Sequence, residues 1–313
     1  MINVDKMTFG AMKMTFCFAL LAMLMSSMET LQAQNLKVYE ADGNAVSYNY
    51  NQIDSLVFNV ADDESEPVVV NVLGQNPWKG KRVGVLGDSI SDGAHVGTEK
   101  CWWEFMSEWL GLNTTCFAQN GANISGMLTQ AQQLLQLQRN EGKAFDAVII
   151  FGGTNDYNQG CNIGNWYSER VESNGLKRRT VAVSTSTFCG RLNNLLNYVK
   201  KNFPKARVYI MSPIHRGYAN FGGTNVQQDE AYSNSIGLFL DSYIECVEQA
   251  ASIWALNYWD VHAMSGLLPS MSAYDSYMHN ADTDRLHPGT KGHRRLAKVT
   301  TELLLQTLPL EED

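Results

Sequence analysis

The chain has 313 residues, of which 44% are hydrophobic and 18% charged, and a formal net charge of −8. That length and composition fit a globular protein of one large or two modest domains and exclude a chain that is disordered throughout. The acidic balance argues against phosphate backbones as partners, so no nucleic acid is expected.

At the N-terminus, Lys6 and Lys13 precede an apolar run, "MTFCFALLAMLM" (14–25), followed by the polar "SSMETLQAQ". This pattern predicts a signal peptide over residues 1–33 and an exported protein: periplasmic, at the cell surface or extracellular. The run is shorter than the roughly 18 to 20 residues of a spanning helix, so no membrane span is expected after cleavage; a permanent anchor is the alternative. Cleavage is placed after Ala33, although Leu31 is larger than the usual residue at that offset. Of the cysteines, Cys101, Cys116, Cys161, Cys189 and Cys246 lie beyond this segment. They form no CxxC pair and have no histidine at zinc-ligand spacing, so they are expected to be mostly buried small hydrophobes.

Residues 34–60 alternate apolar and polar on both sides of "ADGN", which predicts a small β-hairpin leader. It resembles short N-terminal segments of "DG…IDSLxF" type on some exported bacterial enzymes. The acidic, turn-rich "ADDESEP" opens a linker over 61–77, and the main domain is expected over 78–313. Within it, strands are predicted at "RVGVL" (82–86), "TTCFA" (114–118), "DAVIIF" (146–151), "RVYIMS" (207–212) and "WALNYW" (254–259). Helix-like segments such as "KCWWEFMSEWLG", "FCGRLNNLLNYVKKNF" and "SIGLFLDSYIECVEQAA" (235–251) separate them. The alternation predicts an α/β class fold, a three-layer α/β/α sandwich around a mostly parallel five-stranded sheet. Ligands of such sheets bind beyond the carboxyl ends of the strands.

The polar residues stand at those ends: "GDS" after the first strand, "NGANISG" after the second, "GGTND" after the third and "SPIHRG" after the fourth, with "DRLHPG" before the last helical run. Serine attacks an acyl carbon only when a base takes its proton and a third group fixes that base. Ser89, His287 and Asp284 are of these three types, with Asp284 three residues before His287. Read singly, the serine is a helix cap and "DxxH" a surface turn. Acyl transfer also needs oxyanion donors, and Gly126 offers a backbone N–H and Asn155 a side-chain amide.

With these blocks in order, residues 80–306 resemble the SGNH or GDSL hydrolases: "GDS" (87–89), "NISG" with Gly126, "GTND" (153–156) and "DRLHP" (284–288). The resemblance implies the flavodoxin-like fold of that family and a carboxylic ester hydrolase. It implies Ser89 as nucleophile, His287 as base and Asp284 as its orienting acid, with the Ser89 N–H, Gly126 and Asn155 as oxyanion donors. No metal or organic cofactor is implied. Ile90 stands where the family's motif has leucine.

Asp88, beside the nucleophile, is read as bracing the loop, because adjacent residues at a strand end point to different sides. Tyr157 and His215 are candidate substrate contacts, and His262 a weaker one; a plain loop role is the alternative for the histidines. "FGGTN" occurs twice, and only the copy at 151–155 follows an apolar strand, so Asn155 rather than Asn225 is assigned to the oxyanion hole. "GDSIS" lacks the last glycine of G-x-S-x-G, and no phosphate-binding P-loop motif is present. Aromatic residues with amides among them (Tyr157, Trp166, Tyr167, Tyr218, Phe221, Tyr274, Tyr277) suit sugar rings. The expected substrate is therefore a small-molecule or polysaccharide ester, most simply an O-acetylated carbohydrate. An acyl-lipid or lysophospholipid esterase and a non-catalytic glycan-binding module are the alternatives.

Overall fold

A computed structural model of the chain describes residues 76–93 and 98–310, together with the backbone of two strands before them. The chain divides into two units, Met1–Asn59 and Val60–Asp313. In the first unit, β1 (Asn35–Tyr39) and β2 (Ala45–Asn49) pair antiparallel, with Asn35 opposite Asn49 and Tyr39 opposite Ala45. This is the hairpin expected around "ADGN". The expected signal segment and residues 61–75 of the expected linker lie outside the described residues.

The second unit opens with β3 (Arg82–Gly87), α1 (Trp102–Leu110), β4 (Asn113–Cys116), α2 (Ile124–Glu141), β5 (Ala147–Phe151) and the short α3 (Thr154–Asn158). An antiparallel hairpin, β6 (Tyr167–Val171) and β7 (Lys177–Val181), then precedes α4 (Phe188–Asn202) and β8 (Arg207–Met211). Two short strands, β9 (Ala219–Asn220) and β10 (Val226–Gln227), lead to α5 (Leu240–Trp254), β11 (Asn257–Trp259) and α6 (Val261–Met264). The unit ends with β12 (Met278–Asn280), β13 (Asp284–Pro288) and α7 (Thr290–Leu305).

Five strands form the central sheet in the order β11-β8-β5-β3-β4, every neighbouring pair parallel. Successive strand side chains face opposite ways, so these strands feed two cores. Leu86, Val148, Ile150, Val208 and Ile210 pack against Met127 and Leu134 of α2, Leu192 and Leu195 of α4, and Val247 of α5. Val83, Val85, Ile149, Phe151 and Met211 pack with Trp102 and Met106 of α1 and Leu296 and Leu304 of α7. Each such fully buried aliphatic contributes roughly 1.5–3 kcal/mol by leaving water. The result is the expected three-layer sandwich with five parallel strands. Among the described residues no helix is long and apolar enough to cross a membrane.

The largest boundary differences from expectation have local causes. The run "WALNYW" is strand only from Asn257, because α5 continues to Trp254, whose indole N–H donates to Asn193 Oδ1 at 2.9 Å. The same helix starts at Leu240, later than its apolar pattern begins, because Asn234 Oδ1 accepts the N–H groups of Ile236 and Leu238 and holds a turn there.

The order of the five strands is 2-1-3-4-5 when numbered along the chain, which reverses direction between β3 and β5. Ligands of doubly wound sheets bind at that switch point. A second sheet, antiparallel and of four short strands in the order β10-β9-β13-β12, carries the "DRLHP" segment.

Candidate active site

The chain leaves β3 into a single tight turn, with the N–H groups of Ser91 and Asp92 both donating to the Asp88 carbonyl at 3.0 Å. Gly87 is needed at the strand's end, since a Cβ there would lie 2.8 Å from the Ser91 side chain and 3.3 Å from the Phe151 carbonyl. Its peptide is clamped by Gln130 of α2: Gly87 N–H donates to Oε1 at 2.8 Å, and Nε2 donates to the Gly87 carbonyl at 2.8 Å. Gln130 is buried, so this clamp has no solvent to replace it. Replacing Gln130 by leucine leaves the Gly87 N–H without that acceptor and is expected to cost about 2 kcal/mol in urea unfolding, with kcat reduced as the turn loosens. A loss below about 0.5 kcal/mol would contradict the clamp.

Ser89 occupies this turn and is 5% exposed. His287 Nε2 lies 2.8 Å from Ser89 Oγ, across 198 residues of sequence. On the other edge of the ring, Nδ1 lies 2.9 and 3.0 Å from the two carboxylate oxygens of Asp284. The acid is anchored in turn, because Asp284 Oδ1 accepts the N–H groups of Leu286 at 3.2 Å and His287 at 3.1 Å. Burial raises the Asp284 carboxyl, but the hydrogen bonds and charge of His287 and those backbone donors outweigh it and hold the group below the ordinary aspartate value. It therefore stays ionised at neutral pH. Strand β13 fixes both residues by pairing with β12 on one side and with Ala219 of β9 on the other.

The two distant oxyanion candidates are tied to each other's loops. Asn155 Nδ2 donates to the Ala122 carbonyl at 3.0 Å, which uses one of its two amide protons. Gly126 has its single N–H directed to Asn123 Oδ1 at 3.1 Å. As the third residue of α2, Gly126 carries one of the otherwise unpaired N–H groups of a helix start, and Asn123 caps it, so the donor expected there is hydrogen-bonded in this structure. Asp156 completes the link by accepting the Ile124 N–H at 2.9 Å while pairing with Arg191 at 2.7 Å. Gly153, at φ +114°, lets the chain turn from β5 into the helix carrying Asn155.

A family model described as GDSL-like Lipase/Acylhydrolase matches residues 83–300, more than half of the chain. The chain belongs to this family. Two solved structures share the fold of this GDSL-like chain: a protein of Lactobacillus plantarum and a possible lipase from Chitinophaga pinensis. The first is 21% identical, with a TM-score of 0.57 over 72% of this chain and 97% of its own. The second is 17% identical, with a TM-score of 0.53 over 72% of this chain and 98% of its own. No curated protein matches the chain.

Other candidates of this GDSL-like chain fall in different places. Tyr157 is not a substrate contact: it is buried, and its hydroxyl donates to the Tyr232 carbonyl at 2.6 Å beneath the guanidinium of Arg216. His215 and His262 lie with ring centres 3.6 Å apart and planes tilted by 37°, with His215 bonded to Glu230. Trp166 is turned toward α5, where its indole donates to Gln249. Phe221 has its ring centre 5.6 Å from that of His287 and is 41% exposed. It opens the second "FGGTN", which forms the turn between β9 and β10, so the decoy motif ends beside His287 without supplying the Asn155 position.

Sequence reasoning missed three polar braces, the buried Gln130 and Arg216 and the half-buried Arg191. Arg216 donates to the Thr154 hydroxyl at 2.9 Å and to Gln227 at 3.0 Å, supporting the "GTND" turn from below. Only a polar residue on an otherwise apolar helix stripe, as at Gln130 among Met127, Ala131 and Leu134, signalled any of them.

Asp88 braces the loop as expected, with Oδ1 accepting the Ile90 N–H at 3.0 Å. Its burial pushes the carboxyl up from 3.8 to about 6, against the opposing pull of that N–H, His287 and Arg216. The folded state therefore binds more protons between these two values, and stability falls as pH rises through that window. Above it the full cost, about 3 kcal/mol, is present. Asp88→Asn keeps the acceptor and loses the charge. Its thermal midpoint should exceed that of the parent at pH 8 and converge with it below pH 4; equal midpoints throughout would contradict this account.

Proposed function

We propose that the chain is an exported serine esterase that removes small acyl groups, most simply acetyl, from carbohydrate. The observation that carries the reading is the unbroken relay from Ser89 Oγ to His287 Nε2 and from His287 Nδ1 to Asp284, at 2.8 and 2.9 Å. In this reading His287 takes the hydroxyl proton as Ser89 Oγ attacks the ester carbonyl carbon. Asp284 keeps the proton on Nδ1 and stabilises the imidazolium that forms. His287 then protonates the departing alcohol, and water, deprotonated by the same ring, releases the acid from Ser89.

The oxyanion would be met by the Ser89 N–H, the remaining amide proton of Asn155 and the Gly126 N–H once Asn123 releases it. Such donors act in a site that excludes water, where each is worth about two orders of magnitude in rate. The carbohydrate preference is supported by Phe221, an exposed aromatic face at His287, with Asn220 and Asn225 in the same hairpin. Aromatic faces flanked by amides suit the apolar face and hydroxyl rim of a sugar.

A release assay comparing acetylated oligosaccharides with lysophospholipids tests the assignment. Acetate release at least tenfold faster than fatty-acid release is expected. The reverse ratio would make the protein an acyl-lipid esterase, and neither activity would favour a binding module.

A further inference from the structure

We propose that His215, Glu230 and His262 form a binding site for a divalent transition-metal ion of the zinc class, at the carboxyl edge of the sheet beside the strand that carries Asp284 and His287. Each of these residues offers a ligand atom, and the three atoms lie within 4.8 Å of one another. They come from three separate segments: the loop after β8, the loop after β10 and the helix after β11. Bond lengths of about 2.0–2.2 Å around a tetrahedral ion place ligands roughly 3.4 Å apart, so the spacing needs only small side-chain shifts.

The cluster is held in place by its own backbone. Ser212, at the end of β8, accepts the His262 N–H at 2.9 Å and donates to Asp260 at 3.3 Å, which docks α6 against the chain leading to His215. Glu230 is fixed from the other side, where Oε2 accepts the Arg216 N–H at 3.0 Å and the Glu230 N–H donates back to the Arg216 carbonyl. Oε1 faces His215 Nδ1 at 2.5 Å. His215 itself lies four residues before Ala219, the β9 residue that pairs with Asp284.

The two imidazoles, with ring centres 3.6 Å apart, bring two nitrogen donors to one place. Glu230 is pushed up by burial, but the His215 hydrogen bond and the Arg216 N–H hold it below the ordinary value, so it is a carboxylate at neutral pH. Two imidazoles and one carboxylate suit zinc better than magnesium or calcium, which favour all-oxygen sets. The side chains of His215 and Glu230 are a quarter exposed, which leaves a fourth position for water. On binding, the ion takes the place of the proton that His215 Nδ1 shares with Glu230, and the ring keeps its one proton on Nε2.

The site does not depend on the esterase reading, and calorimetry tests it without substrate. Full-length protein stripped with chelator and titrated with Zn²⁺ should take up one ion per chain. His262→Ala and Glu230→Gln should each weaken uptake at least about tenfold, whereas Ser89→Ala should not change it. If the alanine variant fails to fold, His262→Asn keeps a polar side chain of similar shape and should show the same loss. No uptake by the parent protein, or uptake unchanged in both the His262 and Glu230 variants, would overturn the proposal.

Discussion

Ser89→Ala is expected to lower kcat/KM for a short-chain aryl ester by about 10⁴-fold or more, while leaving the fold intact. The magnitude follows from what the substitution removes: the attacking atom itself, so that only binding and the oxyanion donors remain to assist attack by water. The fold should survive because, among the described residues, the hydroxyl makes one hydrogen bond, to His287 Nε2, and alanine fits the same tight turn held by Gln130 and the Asp88 carbonyl. Thermal unfolding should therefore shift by no more than a few degrees. Turnover within tenfold of the parent would remove Ser89 from the chemistry.

Asp284→Asn should reduce kcat by about 10⁴-fold as well, for a different reason. The amide oxygen can still accept the N–H groups of Leu286 and His287, so the turn before α7 is kept. The amide nitrogen, however, presents protons to His287 Nδ1, where the carboxylate had accepted one. The ring then carries its proton on Nε2 and meets Ser89 as a donor, unable to take the hydroxyl proton. His279, 3.2 Å from Asp284 Oδ2, offers no substitute, since it touches the acid and not His287. Kinetics with the same aryl ester check this, and a fall of less than tenfold would mean that Asp284 only shapes the turn.

How much of this was legible beforehand depended on whether the signal was local. The parallel strands could be read because each is a short buried apolar run, and β3 and β5 in particular carry their boundaries in sequence as Gly87 and Gly152–Gly153. Ser89, Asp284 and His287, which the fold brings together, could be singled out because each lies in a recognisable block at or near the end of an element. The antiparallel sheet that holds β13 in place was not legible, because β9, β10 and β12 are two or three residues long and stabilised by neighbours far away in sequence. The occupied N–H of Gly126 was missed because Asn123 reads equally well as a loop residue and as the cap it is. Tyr157 was misplaced because position after a strand end does not reveal which way a side chain points; burial against Tyr243 and Phe188 decides it. His215, Glu230 and His262 showed no ligand spacing, since turns after three different strands bring them together.

The claim that Ser89 is a nucleophile activated by His287 and Asp284 is tested most directly by intact-mass and peptide mapping after exposure to a fluorophosphonate, which reacts with activated serines and leaves unactivated ones alone. A single adduct on Ser89, absent from His287→Ala at equal exposure, is the predicted result; an unlabelled Ser89 in active enzyme, or equal labelling in the His287 variant, would contradict it.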